Sequence, residues 1–339
     1  MAPVALPDGA SQSAFRIHAP HTLRDQAMEK RLGEAANEAE AEIESLLREI
    51  EPWSGRELHY GPVHGGISNS NWRVRVAGEQ GRFFVKVPGR GTEMFIDRNA
   101  ALDASRRAQD LGIGPRIYEY LADRGVEIAD YIEGHRACTN RDFQDPTVRK
   151  AVVGLYRTFN DSGRLPLTKT IFDMIDEHIE QVRELNGAFP IDFAWLYKQY
   201  RLARAALEAS GIDLVACFND PMAGNFMVAE DKSLMLIDYE YASNNDRCYD
   251  IGIWCGEMFF SDAVEAEVIE EYFGRFDPRM KARLAVHRAL ADVKWSTWAM
   301  VQNVVSALDF DFYKYGAWKH MRARAAMQDP RWVEYLKAV

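Results

Sequence analysis

Two acids and an amide near residue 220 restrict what this chain can be more than any other feature of its sequence. Asp220 and Asn225 lie five positions apart, and Asp238 follows eighteen positions after Asp220. Phosphoryl transfer needs one carboxylate to orient or deprotonate a hydroxyl, and an amide and a second carboxylate to hold magnesium against nucleotide phosphates. Residues 235–237 form an apolar run typical of a buried strand, which would leave Asp238 projecting at its end. The spacing favours a phosphoryl-transfer site over a polar turn before an ordinary strand, provided that the upstream sequence agrees.

A glycine-rich segment and a strand with a single lysine lie upstream. Adjacent glycines let backbone amides approach phosphate oxygens closely. The segment contributes four candidate nucleotide-binding residues: Gly65, Gly66, Ser68 and Asn69. The strand predicted over residues 82–88 carries Lys86 among apolar residues, where lysine is seldom found without a partner. Alone, Lys86 would be interpreted as a solvated lysine on an edge strand, but in this order of motifs it is predicted to meet the α- and β-phosphates of ATP.

Together these segments resemble the choline/ethanolamine kinase family, within the kinase-like fold that also holds the aminoglycoside phosphotransferases. The resemblance covers roughly residues 55–325, and the string at residues 237–241, Ile-Asp-Tyr-Glu-Tyr, is more typical of choline kinases than of antibiotic kinases. The other matching segments are residues 84–87, 112–115, 129–134, 244–246 and 249–252. The resemblance implies an α+β, bilobal protein-kinase-like fold, with an antiparallel sheet in a small lobe and a large, mostly helical lobe.

The same resemblance implies a role for each motif residue. Asp220 would be the catalytic base, and Asn225 and Asp238 would be the ligands of Mg²⁺. Lys86 would bind the phosphates of ATP, and residues near Tyr131 would form the hinge that holds the adenine. ATP and Mg²⁺ are therefore the expected cofactors.

The chain departs from the family pattern at two positions. Phe218 stands where many members have a histidine that braces the catalytic loop, so packing could replace that bracing. Ala101 stands where a helix glutamate usually pairs with the strand lysine. Because an unpaired buried lysine is costly, we expect Asp103 or Glu93 to take over the pairing when nucleotide is bound.

Length and charge agree with a two-lobed enzyme for a small cation. The 339 residues exceed one usual core, and the net charge of −10 disfavours nucleic-acid binding while being compatible with a cationic substrate. No apolar run approaches the about 18 residues that span a bilayer, so no membrane insertion is expected. Four cysteines without metal-ligand spacing and no signal segment predict the cytoplasm. A homodimer is compatible with the sequence.

Periodicity divides the chain into three predicted regions: a flexible leader at residues 1–24, a small nucleotide-binding lobe at residues 25–133 with a helix near residues 25–51, and a helical lobe at residues 134–339 with the catalytic loop and substrate pocket. Strands are predicted near residues 57–62, 72–77, 82–88, 116–122 and 125–131. Helices are predicted near residues 96–110, 146–160, 171–186, 192–209, 262–273 and 278–307.

The last long helix carries the signal for the substrate. Trp295, Trp298 and Gln302 share one helix face, and an aromatic segment containing Phe312 and Tyr315 follows. This arrangement resembles the Trp-x-x-Trp helix of choline kinases, in which rings would recognise a trimethylammonium group. Tryptophans on one face are more often core packing, and the family resemblance is what favours a cation site. Three acids could add negative charge around the cation, although the last could instead brace the catalytic loop: Glu240, Glu257 and Asp250.

The expected activity is ATP-dependent phosphorylation of the hydroxyl of a small amino alcohol, with choline favoured, which would give phosphocholine and ADP for phospholipid precursor metabolism. Ethanolamine, another amino alcohol or an aminoglycoside are alternatives within the fold. The aromatic tail disfavours aminoglycosides, whose several ammonium groups require many carboxylates. From a different class, Ala101 and Phe218 leave open a nucleotide-binding pseudokinase that acts as a regulatory module.

Overall fold

The structure, a computed structural model, describes residues 29–63, 69–89, 91–306 and 308–339. Gly65, Gly66 and Ser68 and the predicted leader lie outside the described residues. The chain divides into two units, one with residues 29–63 and Trp72–Arg82, the other with residues 69–71 and Phe83–Val339. The predicted division at residue 133 remains a prediction.

The first unit combines one helix with antiparallel strands. It contains β1 (Lys30–Arg31), α1 (Glu38–Glu49), β2 (Leu58–Pro62) and most of β3 (Asn69–Val76). The prediction of a helix over residues 25–51 is wrong at its start, because residues 30 and 31 pair with β2 as a strand and the Asn37 side chain caps α1 by accepting the Glu40 N–H. The apolar stripe of α1 is buried as its helical spacing predicts, at Ile43, Leu46 and Leu47.

The N-terminal part of the second unit contains three antiparallel strands and a helix. Its elements are β4 (Phe83–Pro88), α2 (Arg98–Asp110), β5 (Ile117–Leu121) and β6 (Val126–Asp130). The strand β6 lies between β4 and β5, and its register places Glu127 opposite Lys86. Asp97 caps α2 by accepting the N–H groups of Asn99 and Ala100. These elements match the predicted ones within two residues.

The remainder of the second unit is mostly helical. Its helices are α3 (Pro146–Asn160), α4 (Ile171–Glu184), α5 (Phe193–Ser210), α6 (Arg247–Glu257), α7 (Asp262–Phe273), α8 (Pro278–Val305), α9 (Phe312–Gln328) and α10 (Arg331–Ala338). Its strands are β7 (His135–Ala137), β8 (Leu214–Cys217), β9 (Phe226–Ala229), β10 (Leu234–Leu236) and β11 (Ser243–Asp246). The sequence did not predict α6, α9 and α10. Since nearly every residue of α6 is buried, no polar face reveals its period.

Two hydrophobic cores support the functional loops. One core surrounds Tyr156, Phe226 and Trp254, and the other is built from α4, α5 and α8 around Tyr200 and Trp298. Within the described residues no helix is long and apolar enough to cross a membrane. The loop after β8 and the segment after β10 lie against the first core, which positions the acids that the sequence singled out.

Candidate active site

Asp250 braces the loop that carries the predicted base. Its carboxylate, fully buried on α6, accepts the backbone N–H of Phe218 at 2.8 Å and that of Asn219 at 2.7 Å, and the side-chain amide of Asn160 at 3.1 Å. Burial raises the pKa of Asp250 to about 6, although these donors oppose the shift. The structure thus supports the bracing role that the sequence left open for Asp250.

Asn219 holds the loop in an unusual backbone conformation. Its φ is 65°, in the left-handed region that non-glycine residues rarely adopt. Its side-chain amide donates to the carbonyl of Tyr241 and to Oγ of Ser243, both at 2.8 Å, and its Oδ1 accepts from Asn245 at 3.1 Å. Such conformations persist where the surroundings over-determine them, which is frequent at functional sites.

Phe218 contributes to the same loop by packing. Its side chain is fully buried and meets Tyr239 edge-on, with the ring centroids 5.3 Å apart, and Phe226 with centroids 6.5 Å apart. The phenyl ring therefore anchors the loop to the first core. The structure therefore shows packing at this position, which agrees with the expectation from the sequence.

Asp220 is buried next to Asn225. Its Oδ2 accepts from the Asn225 side-chain amide at 3.2 Å, while its Oδ1 has no hydrogen-bond partner among the described residues. Burial raises the pKa of Asp220 to about 7, and the charge of Asp238 adds to the rise. A carboxylate with one free, desolvated oxygen and a pKa near neutrality is suited to accept a proton from a hydroxyl.

The two predicted metal ligands are brought together by a backbone contact. The N–H of Ile237 donates to the carbonyl of Asn225 at 2.9 Å, which ties the end of β10 to the catalytic loop. Asp238 then adopts a φ of 70°, again in the left-handed region, and its side chain is about one-third exposed. Because Mg²⁺ prefers carboxylate and amide oxygens, this pair of donors fits the ion.

Lys86 interacts with carboxylates from two segments, the one after β10 and the strand β6. Its ammonium donates to Oδ1 of Asp238 at 2.8 Å and lies 3.5 Å from Oε1 of Glu240. Burial alone would lower the pKa of Lys86, but the charges of Asp238, Glu240 and Glu127 outweigh burial and raise it. The structure therefore supplies different partners from the expected Asp103 or Glu93.

Glu127 is the partner that sequence reasoning missed. Burial raises its pKa, and the charge of Lys86 and a hydrogen bond from Ser105 of α2 oppose the rise. Ser105 lies one helical turn beyond Ala101 on α2. The small alanine therefore leaves room for an acid from the sheet, Glu127 of β6. The only sequence signal was a glutamate inside the predicted strand 125–131.

The two acids predicted to face the substrate cation already bind cations of the protein. Oε1 of Glu240 accepts from Arg98 at 2.8 Å and from Asn69, the one described member of the glycine-rich set, at 2.9 Å. Glu257 pairs with Lys319 and lies 3.4 Å from Arg322. Both carboxylates are therefore already engaged by cations of the protein. Their contact with the substrate cation remains a prediction.

Aromatic side chains from α8, α9 and the segment after β10 form what we call the ring cluster: Tyr241, Trp295, Trp298, Phe312 and Tyr315. The centroids of Trp295 and Trp298 are 5.5 Å apart, and Trp295 meets Tyr241 edge-on at 5.4 Å. Trp298 contacts Phe312 at 5.8 Å and Tyr315 at 6.2 Å. The predicted rings do come together, and Tyr241 is an additional member.

Two further residues predicted for the substrate and nucleotide sites are Gln302 and Tyr131. Gln302 is buried on α8, one turn beyond Trp298, and its backbone carbonyl accepts the N–H of Ser306 at the end of the helix. Tyr131 directly follows β6 and is half-buried, which agrees with a position at the end of the sheet but leaves its hinge role a prediction.

Comparison with known proteins assigns the family. Residues 61–270, more than half of the chain, match the family model described as choline/ethanolamine kinase. The chain belongs to the choline/ethanolamine kinase family. It is therefore a phosphotransferase that acts on an alcohol group. The resemblance inferred from the motifs is confirmed.

Relatives of this kinase include enzymes named for different acceptors. Ethanolamine kinase 2 of Rattus norvegicus is 24% identical over 299 residues, which cover 80% of this chain and 77% of the relative. Probable choline kinase 2 of Arabidopsis thaliana is 22% identical over 289 residues, covering 75% and 81%. The family is thus settled, whereas the acceptor is not.

Solved structures confirm the kinase-like α+β fold of this family member. A choline/ethanolamine kinase family protein from Mesorhizobium loti superposes with a TM-score of 0.76 at 24% identity, covering 89% of this chain and 99% of that chain. An aminoglycoside 2′-phosphotransferase has a TM-score of 0.58 at 13% identity, covering 80% and 92%. The second similarity confirms that the fold is shared with antibiotic kinases.

Trp298 belongs to the ring cluster, most of which lies beyond residue 270, where the family match ends. Trp298 is 2% exposed and packs into the second core, so we expect Trp298→Ala to lower the free energy of unfolding by about 3–5 kcal/mol. Chemical denaturation of the kinase would measure this loss. Trp318→Ala, at a ring that is 40% exposed, is the control and should cost much less. Equal stability of wild type and Trp298→Ala would show that the ring is not core packing.

Proposed function

We propose that this kinase transfers the γ-phosphoryl group of ATP to the hydroxyl of a small amino alcohol, with Asp220 as the base. The observation that carries the proposal is the free, buried Oδ1 of Asp220, which lies in the same loop as Asn225 and interacts electrostatically with Asp238. This arrangement supports a phosphoryl-transfer site at the Asp220 oxygen, which has no hydrogen-bond partner among the described residues.

The roles follow from the contacts of each side chain. Oδ1 of Asp220 accepts the hydroxyl proton as the substrate oxygen attacks the γ-phosphorus, and the bond to the bridging oxygen breaks so that ADP leaves. Lys86 donates a hydrogen bond to Asp238. When nucleotide binds, the ammonium group of Lys86 would also donate to the phosphates. Asn225 and Asp238 would hold Mg²⁺, which neutralises phosphate charge when bound.

The acceptor in this proposal is an alcohol that carries an amine. The sequence favours choline, and the ring cluster supports recognition of an ammonium group by aromatic faces. The relatives named above are choline and ethanolamine kinases, so both alcohols belong among the candidates. Glu240 and Glu257 would contribute indirectly, by setting the charges around the site, because each already binds cations of the protein.

A direct assay tests the proposal. The purified protein is incubated with Mg²⁺ and ATP and, separately, with choline, ethanolamine and an aminoglycoside, and ADP formation is followed together with the phosphorylated product by mass spectrometry. We expect acceptor-dependent ADP release with at least one amino alcohol and none with the aminoglycoside. Binding of ATP without turnover of any amino alcohol would contradict the proposal and favour a regulatory nucleotide-binding module.

A further inference from the structure

Lys294 carries a buried amine that has no polar partner among the described residues. It lies on α8 directly before Trp295, its exposed fraction is 0%, and its Nζ makes no hydrogen bond to any residue that the structure describes. Burying an ammonium ion without a partner is expensive, and a lysine in such a place releases its proton readily. Burial accordingly lowers the pKa of Lys294 well below its usual range.

The position of this nitrogen coincides with the ring cluster. Nζ lies 3.0 Å from the centroid of the Trp295 ring and 4.2 Å from that of Tyr241. Lys294 also interacts electrostatically with Asp220, the proposed base. An amine of the protein thus lies against the rings proposed to hold the ammonium of the substrate, within electrostatic range of the proposed base.

Two other lysines, which interact with predicted site acids, have carboxylate partners. Lys319, which is 1% exposed, pairs with Glu257 and lies 3.7 Å from Asp292. Lys86 pairs with Asp238. Because carboxylates of the protein neutralise those two lysines, their positive charges are stabilised without a ligand. For Lys294 the described residues supply rings and no acceptor, so a ligand is the natural source of its missing hydrogen bond.

We propose that Lys294 is a specificity-determining residue of the acceptor site, whose side-chain nitrogen accepts an N–H from the ammonium group of the substrate. This inference rests on the proposed function. The acceptors that it favours are amino alcohols with a primary, secondary or tertiary amine, each of which keeps at least one N–H when protonated. Choline, whose quaternary nitrogen has none, is disfavoured relative to them.

The hydrogen bond to Lys294 predicts at which degree of N-methylation the enzyme's preference among amino alcohols changes. A neutral amine can accept an N–H from an ammonium ion, and a hydrogen bond to a charged group is stronger than one between neutral groups. A trimethylammonium group must leave the nitrogen of Lys294 without a partner and also displace it from the rings. We therefore expect kcat/KM to fall on the order of 10- to 100-fold at the step from N,N-dimethylethanolamine to choline.

The test uses a graded series of acceptors: ethanolamine, N-methylethanolamine, N,N-dimethylethanolamine and choline. We expect wild type to accept the first three with similar kcat/KM and to lose activity at the last step. Lys294→Met removes the acceptor at similar side-chain length and should abolish the step, whereas Lys294→Gln keeps an acceptor oxygen and should retain it. Lys281→Met removes a partly exposed lysine of the same helix and serves as the control, with the step unchanged.

The outcomes separate this inference from the proposed function. If wild type phosphorylates the series with a gradual decline, or if the step persists in Lys294→Met, the role of Lys294 is wrong while the amino-alcohol kinase stands. If wild type phosphorylates no member of the series, the proposed function fails, and the inference fails with it. Thermal melting of each variant shows whether it is folded, and Lys294→Met should melt no earlier than wild type because it removes a buried polar group.

Discussion

Asp220→Asn should lower kcat by about 10²- to 10⁴-fold, because the amide keeps the shape of the side chain but cannot accept the hydroxyl proton. The affinity for ATP should change little, since Asp220 acts on the acceptor. Steady-state kinetics with the best amino alcohol would give kcat, and calorimetry would give the dissociation constant of ATP. In wild type, kcat/KM should fall as the pH drops through about 7, where Asp220 becomes protonated.

The control for this variant is Asp231→Asn, an acid in the turn before β10 that binds only the nearby Ser233 in the described contacts. It should retain the kcat of wild type. Turnover by Asp220→Asn at the parent rate would assign the base to another residue. Loss of both turnover and ATP binding would indicate that the loop had lost its conformation. Asp250→Ala, which removes the hydrogen bonds that hold this loop, should then have the same effect.

Asp250→Ala should lower the free energy of unfolding by about 2–6 kcal/mol. The substitution leaves the buried N–H groups of Phe218 and Asn219 without their acceptor, at about 1–3 kcal/mol each, while the amide of Asn160 keeps its hydrogen bond to the carbonyl of Ala216. Denaturant unfolding would measure the loss. Activity should fall as well, because these bonds hold the loop that presents Asp220.

Asp161→Ala provides the matched comparison, since it removes a largely exposed carboxylate that pairs with Arg247. Exposed ion pairs contribute about 0–1 kcal/mol, so this variant should remain close to wild type. If Asp250→Ala were as stable as Asp161→Ala, the loop would not depend on the buried carboxylate.

The sequence by itself determined the family and the order of most elements, and it predicted the acids of the loop after β8 and of the segment after β10. Asp220, Asn225 and Asp238 could be read from a fixed spacing because the residues that flank them, a turn and a short apolar strand, are local. The amphipathic helix α3 was predicted to the residue for the same reason, since its apolar residues recur at helical intervals along the chain.

Only the tertiary structure decided which charges meet. Glu127 lies opposite Lys86 because β4 and β6 pair in one register, and Lys294 meets Tyr241 because α8 packs against a segment more than fifty residues earlier. Neither contact has a local pattern, so the expected partners Asp103 and Glu93 were plausible from the sequence. Whether a charged side chain is paired, free or neutralised depends on burial and on partners from distant segments, and these exist only once the chain has folded.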